Sequence, residues 1–220
     1  MHLRRRAAVD ASQLTGIDTV LVSHAHFDHL DLPSLRRVGR DVAVLVPRGV
    51  GDLLRRRGFR RVRELAVDDE VTVGALSVRA VQAVHGGKRL PFVRHGEAIG
   101  YVVTGSSSIY FAGDTDLFDG MSGLVPGLDV ALLPVWGWGA TLGRGKHLDP
   151  ERAAEAVRLL HPRMAVPIHW GTFHPLHHGI RHAPAFLTEP GAAFAHAVAH
   201  VAPDVDVRVL SVGASLLLPP

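Results

Sequence analysis

The chain contains no cysteine. A disulfide framework and thiolate metal ligands are therefore excluded, and any bound metal must be held by nitrogen and oxygen. No apolar run approaches the ~20 residues that a membrane-spanning helix needs, and the basic start, Met1 to Arg6, is not followed by the apolar core of a signal peptide. Lysine is almost missing as well, with Lys88 and Lys146 the only two. Positive charge is carried by arginine, concentrated at Arg4 to Arg6, Arg36, Arg37, Arg40 and the Arg55 to Arg63 region. Such a surface could face nucleic acid. No aromatic-interleaved basic module accompanies it, however, so the arginines read as a compositional habit and no nucleic-acid partner is expected. At 220 residues, 47% hydrophobic and 20% charged, the chain is long enough to bury a sizeable core. The expectation is one soluble, cytoplasmic domain over 1–220.

Against these absences, histidine is abundant, at 15 residues. The segment His24-Ala25-His26-Phe27-Asp28-His29 packs three imidazoles and a carboxylate into one turn. It follows an apolar run, Thr19 to Val22, that reads as a buried strand, and precedes Leu30 to Leu35, which reads as the start of a helix. Alternate residues of an extended stretch face the same way, so His24 and His26 can converge on one cation. As the chain turns toward the helix, Asp28 and His29 swing to a second position nearby. Imidazole nitrogen with carboxylate oxygen suits zinc, and also manganese or iron. The outline is that of a dinuclear metal site at a strand end, where an α/β sheet presents its chemistry.

Further along, short apolar runs alternate with turn residues. Val42 to Val46 reads as a strand, and Gly49 to Arg57 as a short helix closed by Gly58. Glu70 to Val73 with Leu76 to Val84, and Ala98 to Thr104 with Ser108 to Ala112, read as hairpins. Val130 to Leu133 and Met164 to Ile168 are further strands, and Val205 to Leu210 with Ala214 to Leu218 closes the chain. One amphipathic helix is capped by Asp149, starts at Pro150 and aligns Ala153, Ala156, Val157 and Leu160. A second is expected from Pro190 to His200. Strands interleaved with helices indicate a layered α/β domain. His85, Asp114 and His169 each come just past an apolar run, three residues of the same chemistry as the early cluster.

His24-x-His26-x-Asp28-His29, then His85, Asp114 and His169 in that order, resembles the metallo-β-lactamase-fold superfamily of hydrolases over nearly the whole chain. The longer strings Ala112 to Phe118, His147 to Glu151 and Ile168 to Phe173 are similar to the branch containing N-acyl-phosphatidylethanolamine phospholipase D and the L-ascorbate-6-phosphate lactonases. The resemblance implies a four-layer αβ/βα sandwich with two divalent metal ions at one edge. It assigns His24, His26 and His85 to one ion, Asp28, His29 and His169 to the other, and Asp114 to both. Two divalent ions against two aspartates leave the site net positive, which favours an anionic substrate. A bridging water acidified by both ions would then be the nucleophile, and Asp28 could hold or receive its proton.

Outside the metal ligands, the same resemblance puts His147 near the site, contacting substrate or protonating the leaving group. Trp136-Gly137-Trp138-Gly139, with Arg144 and Lys146, would form a loop at its mouth. His174, His177 and His178 read as a solvated tract. The superfamily normally places strands ahead of the His-rich turn, and here Met1 to Asp10 is polar with no strand pattern. The sandwich is therefore expected to lack its N-terminal strands, and an uncovered edge would suit a homodimer. The activity expected is hydrolysis of an ester, phosphodiester or lactone of an anionic small molecule or lipid. The alternatives are a nuclease of the same superfamily and a truncated, inactive metal-binding protein.

Overall fold

Alternation along one strand explains how the layers stack. In the computed structural model, which describes residues 3–5, 11–86, 96–136, 147–175 and 185–218, strand β3 (Ala43–Pro47) sends Val44 and Val46 to one side and Leu45 to the other. Val44 and Val46 pack against Leu32 and Leu35 of helix α1 (Leu32–Val38) and Leu54 of α2 (Gly51–Arg55). Leu45 instead meets Val78, Ala80, Ile99 and Tyr101, which belong to a second sheet. That sheet alternates likewise. Its strands β6 (Leu76–Gln82) and β7 (Ile99–Thr104) turn Val81 and Val102 outward to a further helical layer. A period of two thus separates an inter-sheet core from two helix-facing cores. The result is the αβ/βα sandwich.

The first sheet has three parallel strands in the order β2-β3-β4, where β2 is Thr19–Leu21 and β4 is Arg61–Leu65. The second has seven. Its order is β12-β10-β9-β8-β7-β6-β5, with β5 Glu70–Val73, β8 Ser108–Phe111, β9 Val130–Pro134, β10 Met164–Ile168 and β12 Asp206–Val207. From β5 to β8 the strands pair antiparallel, as hairpins do; from β8 through β9 and β10 to β12 they run parallel. Helices α3 (Pro150–Leu160) and α5 (Pro190–Val201) cover the outer face, with Ala153, Ala156, Val157, Phe194 and Val198 buried there. A short helix, α4 (Ala185–Thr188), precedes α5.

Local chemistry sets the helix starts. Asp31 caps α1 by accepting from the Ser34 amide at 2.9 Å, and Asp149 caps α3 by accepting from the Arg152 amide at 2.8 Å, each with a proline in the first turn. Helix α2 has no such cap of its own. Glu64 of β4 replaces it, accepting from the amides of Gly49 and Gly51 at 2.8 Å each.

Three elements depart from the sequence expectations. Arg61–Leu65 is a strand that the arginine-rich segment disguised, because Arg61 and Arg63 face solvent while Val62 and Leu65 face the cores. Near the C-terminus only Asp206–Val207 is a strand, and residues 214–218 form none. The pairing of β12 with β10 ends after the Arg208 amide donates to Ala165, because the next donor on that side would be the nitrogen of Pro167, which carries no hydrogen. The N-terminal segment, polar as it is, contributes β1 (Leu3–Arg5), paired antiparallel with β11 (Phe173–Pro175). Backbone hydrogen bonds hold that ribbon without any apolar alternation. No described helix is long and apolar enough to cross a membrane.

Candidate metal centre

The three residues Val22, Ser23 and His24 continue from β2 with the Val22 amide donating to Leu45 at 2.9 Å, so the chain is still tied to the sheet where the first histidine appears. It then folds into a turn in which the amides of His29 and Leu30 both donate to the His26 carbonyl, at 3.1 and 2.8 Å. That turn aims His24, His26, Asp28 and His29 at the edge where the two sheets meet. From the seven-stranded sheet come His85 after β6, Asp114 after β8 and His169 after β10. His169 has a φ of 61°, a left-handed conformation unusual for a residue with a side chain, which turns its imidazole back over the sheet edge.

All seven converge. His24 Nε2 lies 3.0 Å and His85 Nε2 lies 3.2 Å from His26 Nδ1, and His29 Nε2 lies 3.1 Å from His169 Nε2. Donor atoms of His24, His26, His85 and Asp114 fall within 4.8 Å of one another, as do those of Asp28, His29 and His169. Asp114 touches both sets: its Oδ2 is 3.7 Å from His24, 3.8 Å from His85 and 3.3 Å from His29, while its Oδ1 is 3.4 Å from His169. Asp28 Oδ2 lies 3.6 Å from His169 and 3.8 Å from His29.

His147 joins them. Its ring is 4.6 Å from that of His85 and its Nδ1 is 3.7 Å from Asp114 Oδ2. Beyond Trp136, the aromatic loop with Arg144 and Lys146 lies outside the described residues, as do His177 and His178.

Burial keeps two of these imidazoles, His24 and His147, neutral. Burial, then repulsion from His29, pushes His24 down to about 2, and burial pushes His147 down to about 4. Burial works to raise Asp114, but His169 and His29 outweigh it and hold the carboxyl well below the usual carboxylate range. Asp28 is lowered in the same balance, burial against the hydrogen bond with His169 and the charge of His29. For His169, burial is outweighed by Asp114 and Asp28, and the imidazole is raised. The residues fit divalent cations. Asp114 Oδ1, His147 Nδ1 and His169 Nδ1 are buried without a hydrogen-bond partner, and imidazole nitrogens face one another at hydrogen-bond distance beside the Asp28 and Asp114 carboxylates.

Several supporting residues escaped the sequence reading. Ser23 Oγ lies 3.1 Å from His24 Nδ1 and 3.5 Å from His29 Nδ1, fixing two rings of the cluster. Gly113, at φ 62°, is what lets it sit there, since a Cβ would come within 2.6 Å of the Ser23 Cβ. Thr115 ties three stretches together: its Oγ1 accepts from the Val84 amide at 2.9 Å and its carbonyl accepts from the Leu148 amide at 2.9 Å. Thus the neighbours of His85, Asp114 and His147 share one residue. Beside it, the buried Asp116 carboxylate accepts from the Leu117 amide at 2.8 Å and from Arg152 Nε at 2.7 Å. The only advance signal for any of these was the string Ala112 to Phe118.

Comparison with known proteins agrees with this geometry. Residues 1–170 match the family profile of the β-lactamase superfamily domain. The chain is 32% identical to a UPF0173 metal-dependent hydrolase of Methanopyrus kandleri, over 90% of this chain and 81% of that protein. It is 34% identical to another from Symbiobacterium thermophilum, over 79% and 75% of the two chains. Among solved structures, a metallo hydrolase from Ignicoccus hospitalis superimposes with a TM-score of 0.70 at 24% identity, covering 90% of this chain and 78% of that one. An isothiocyanate hydrolase from Delia radicum gut bacteria gives 0.69 at 20% identity, over 96% and 80%. Both structural likenesses show the fold. With the sandwich, the convergent histidines and aspartates and these relatives together, the chain belongs to the β-lactamase superfamily and, within it, to the UPF0173 metal-dependent hydrolases.

Proposed function

We propose that the protein hydrolyses an ester, phosphodiester or lactone of an anionic small molecule or lipid-derived compound at a pair of divalent cations. In this reading His24, His26 and His85 hold one ion, Asp28, His29 and His169 hold the other, and Asp114 serves both. The observation that carries it is the placement of Asp114, buried between the two sets of donors, with Oδ2 3.3–3.8 Å from His24, His85 and His29 and Oδ1 3.4 Å from His169. Zinc suits the nitrogen and oxygen donors best, with manganese or iron also compatible. When bound there, paired divalent ions supply Lewis acidity, which lowers the pKa of a water and neutralises charge on a phosphoryl or carbonyl oxygen.

The residues around them divide the remaining work. Asp28 and Asp114 offset only part of the charge of two divalent ions, so the site attracts an anionic group. Asp28 is the more exposed of the two carboxylates, and it is placed to hold the proton of an attacking water. His147 has its imidazole held neutral by burial at ordinary pH. A hydrogen bond from its ring to the substrate therefore suits it better than outright proton donation. The strings similar to the phospholipase D and lactonase branch support a phospholipase-D-like cleavage as the sharpest form of the reading.

Turnover of bis(p-nitrophenyl) phosphate, p-nitrophenyl esters and lactones, with the His26→Ala variant alongside, tests it. Activity is expected to fall by at least a hundredfold in the variant and with chelator, and elemental analysis is expected to find two ions per chain. Undiminished activity in His26→Ala would exclude metal-dependent hydrolysis. No activity from any substrate in the zinc-, manganese- or iron-loaded protein would favour a metal-binding role without turnover.

A further inference from the structure

A hollow of about 150 Å³ opens beside the second set of donors, walled by Asp28 and His169 on one side and by Trp136, Trp170, Thr172 and Phe173 on the other. Three aromatic rings next to two site residues make it unlike a general water-filled cleft. The two tryptophan rings are also held in place. Trp170 Nε1 donates to the Pro167 carbonyl at 3.1 Å, which commits its polar atom to the backbone and leaves the carbon face for the hollow. Its far edge lies on Gly191, where a Cβ would come within 2.6 Å of Trp170 Cζ2, and the ring packs against the outer core. Trp136 is 5% exposed. A wall built this way is preformed rather than assembled on binding.

We propose that this hollow is a substrate subsite for a compact, uncharged apolar substituent, a phenyl or branched alkyl group, attached to the anionic group that is hydrolysed. The proposal rests on the reading of the adjoining residues as a metal-dependent hydrolytic site. Size agrees, because an apolar cavity of about 150 Å³ takes up a benzene ring. The aromatic side favours an apolar group as well, since Trp136, Trp170 and Phe173 line it and the Thr172 hydroxyl donates to the Trp170 carbonyl at 3.4 Å. The substrate class is therefore an aryl- or alkyl-substituted anion.

Phenylphosphonate and methylphosphonate carry the same anionic head and differ only in the group offered to the hollow. Calorimetry with the zinc-loaded protein is expected to show phenylphosphonate binding at least tenfold more tightly. Thr172→Phe, which fills the hollow, and Phe173→Ala, which removes a wall, are each expected to cut that ratio at least fivefold. The ratio is the readout, so a weakening common to both ligands does not count. Equal affinities in the unsubstituted protein would overturn the subsite, as would binding of neither anion, or a ratio preserved in both variants. Turnover of esters with equal affinities would leave the hydrolase standing without the subsite. A phenyl preference without turnover of any ester would leave the subsite standing and remove the hydrolase.

Discussion

The Tyr101 hydroxyl, on a strand of the seven-stranded sheet, donates to the carbonyl of Val22 in the three-stranded half at 2.8 Å, with the Leu45 carbonyl a second acceptor at 3.2 Å. Burial raises the phenol far above its ordinary range, so it stays protonated and able to donate. Val22 stands two residues before His24. One side chain thus spans the sandwich and anchors the start of the metal-binding turn.

Tyr101→Phe is expected to keep the fold and lose about 1–2 kcal/mol, the cost of leaving the buried Val22 carbonyl short of a donor. Urea denaturation of the two proteins, with an unchanged m-value, measures it. A variant as stable as the parent would show that this contact contributes nothing.

Gly113→Ala combines a left-handed φ with a collision at Ser23. The expected cost is about 2–4 kcal/mol from strain and displaced packing. Because Ser23 holds His24 and His29, zinc affinity should fall about tenfold or more. Competition against a chromogenic chelator reads that loss separately from the melting temperature.

Arg152→Ala removes the guanidinium from a buried carboxylate and is expected to destabilise by about 3 kcal/mol. The Asp116→Asn, Arg152→Ala double variant should recover part of that, since no buried charge remains. Thermal unfolding of the three proteins is the check, and a double variant no more stable than Arg152→Ala would refute the charge argument.

In the metal-free protein, acid should weaken the fold. His24 titrates near 2 and His147 near 4 when folded, both pushed down chiefly by burial, against an ordinary value of 6.5. Below about 6.5 the unfolded chain takes up protons that the folded one refuses, so stability present above that pH is lost as pH falls toward 4 and below. His169, raised above 6.5, works in the opposite sense. Below about 6.5 His169 is protonated in both states and adds nothing further, so the two lowered imidazoles set a net loss. The melting temperature of chelator-treated protein is expected to drop between pH 7 and pH 5, and a flat profile would refute the assignment of neutral buried imidazoles.

The convergence of the first cluster with His85, Asp114 and His169 was legible because each follows an apolar run, a pattern that survives in sequence whatever the rest of the fold does. The pairing of His24 with His26 could be read from alternation, and that of Asp28 with His29 from the turn toward the helix. Arg61 to Leu65 could not, because a strand with one solvated face and two arginines looks like a charged loop. Nor could Thr115 or Arg152, whose work lies in contacts to Val84 and Asp116. Such partners are set by tertiary placement, and no spacing rule announces them. Pro167 stopped β12 for a similar reason: its missing hydrogen matters only once the side of the ladder it faces is known.

The donor atoms also enter the world in a set order. As the polypeptide leaves the ribosome, His24, His26, His85 and Asp114 are all present well before His169, which arrives only with β10. In the reading proposed above, the first four donors would wait for β10 before the set containing His169 is complete, so the order in which the donors assemble follows from how the chain is threaded.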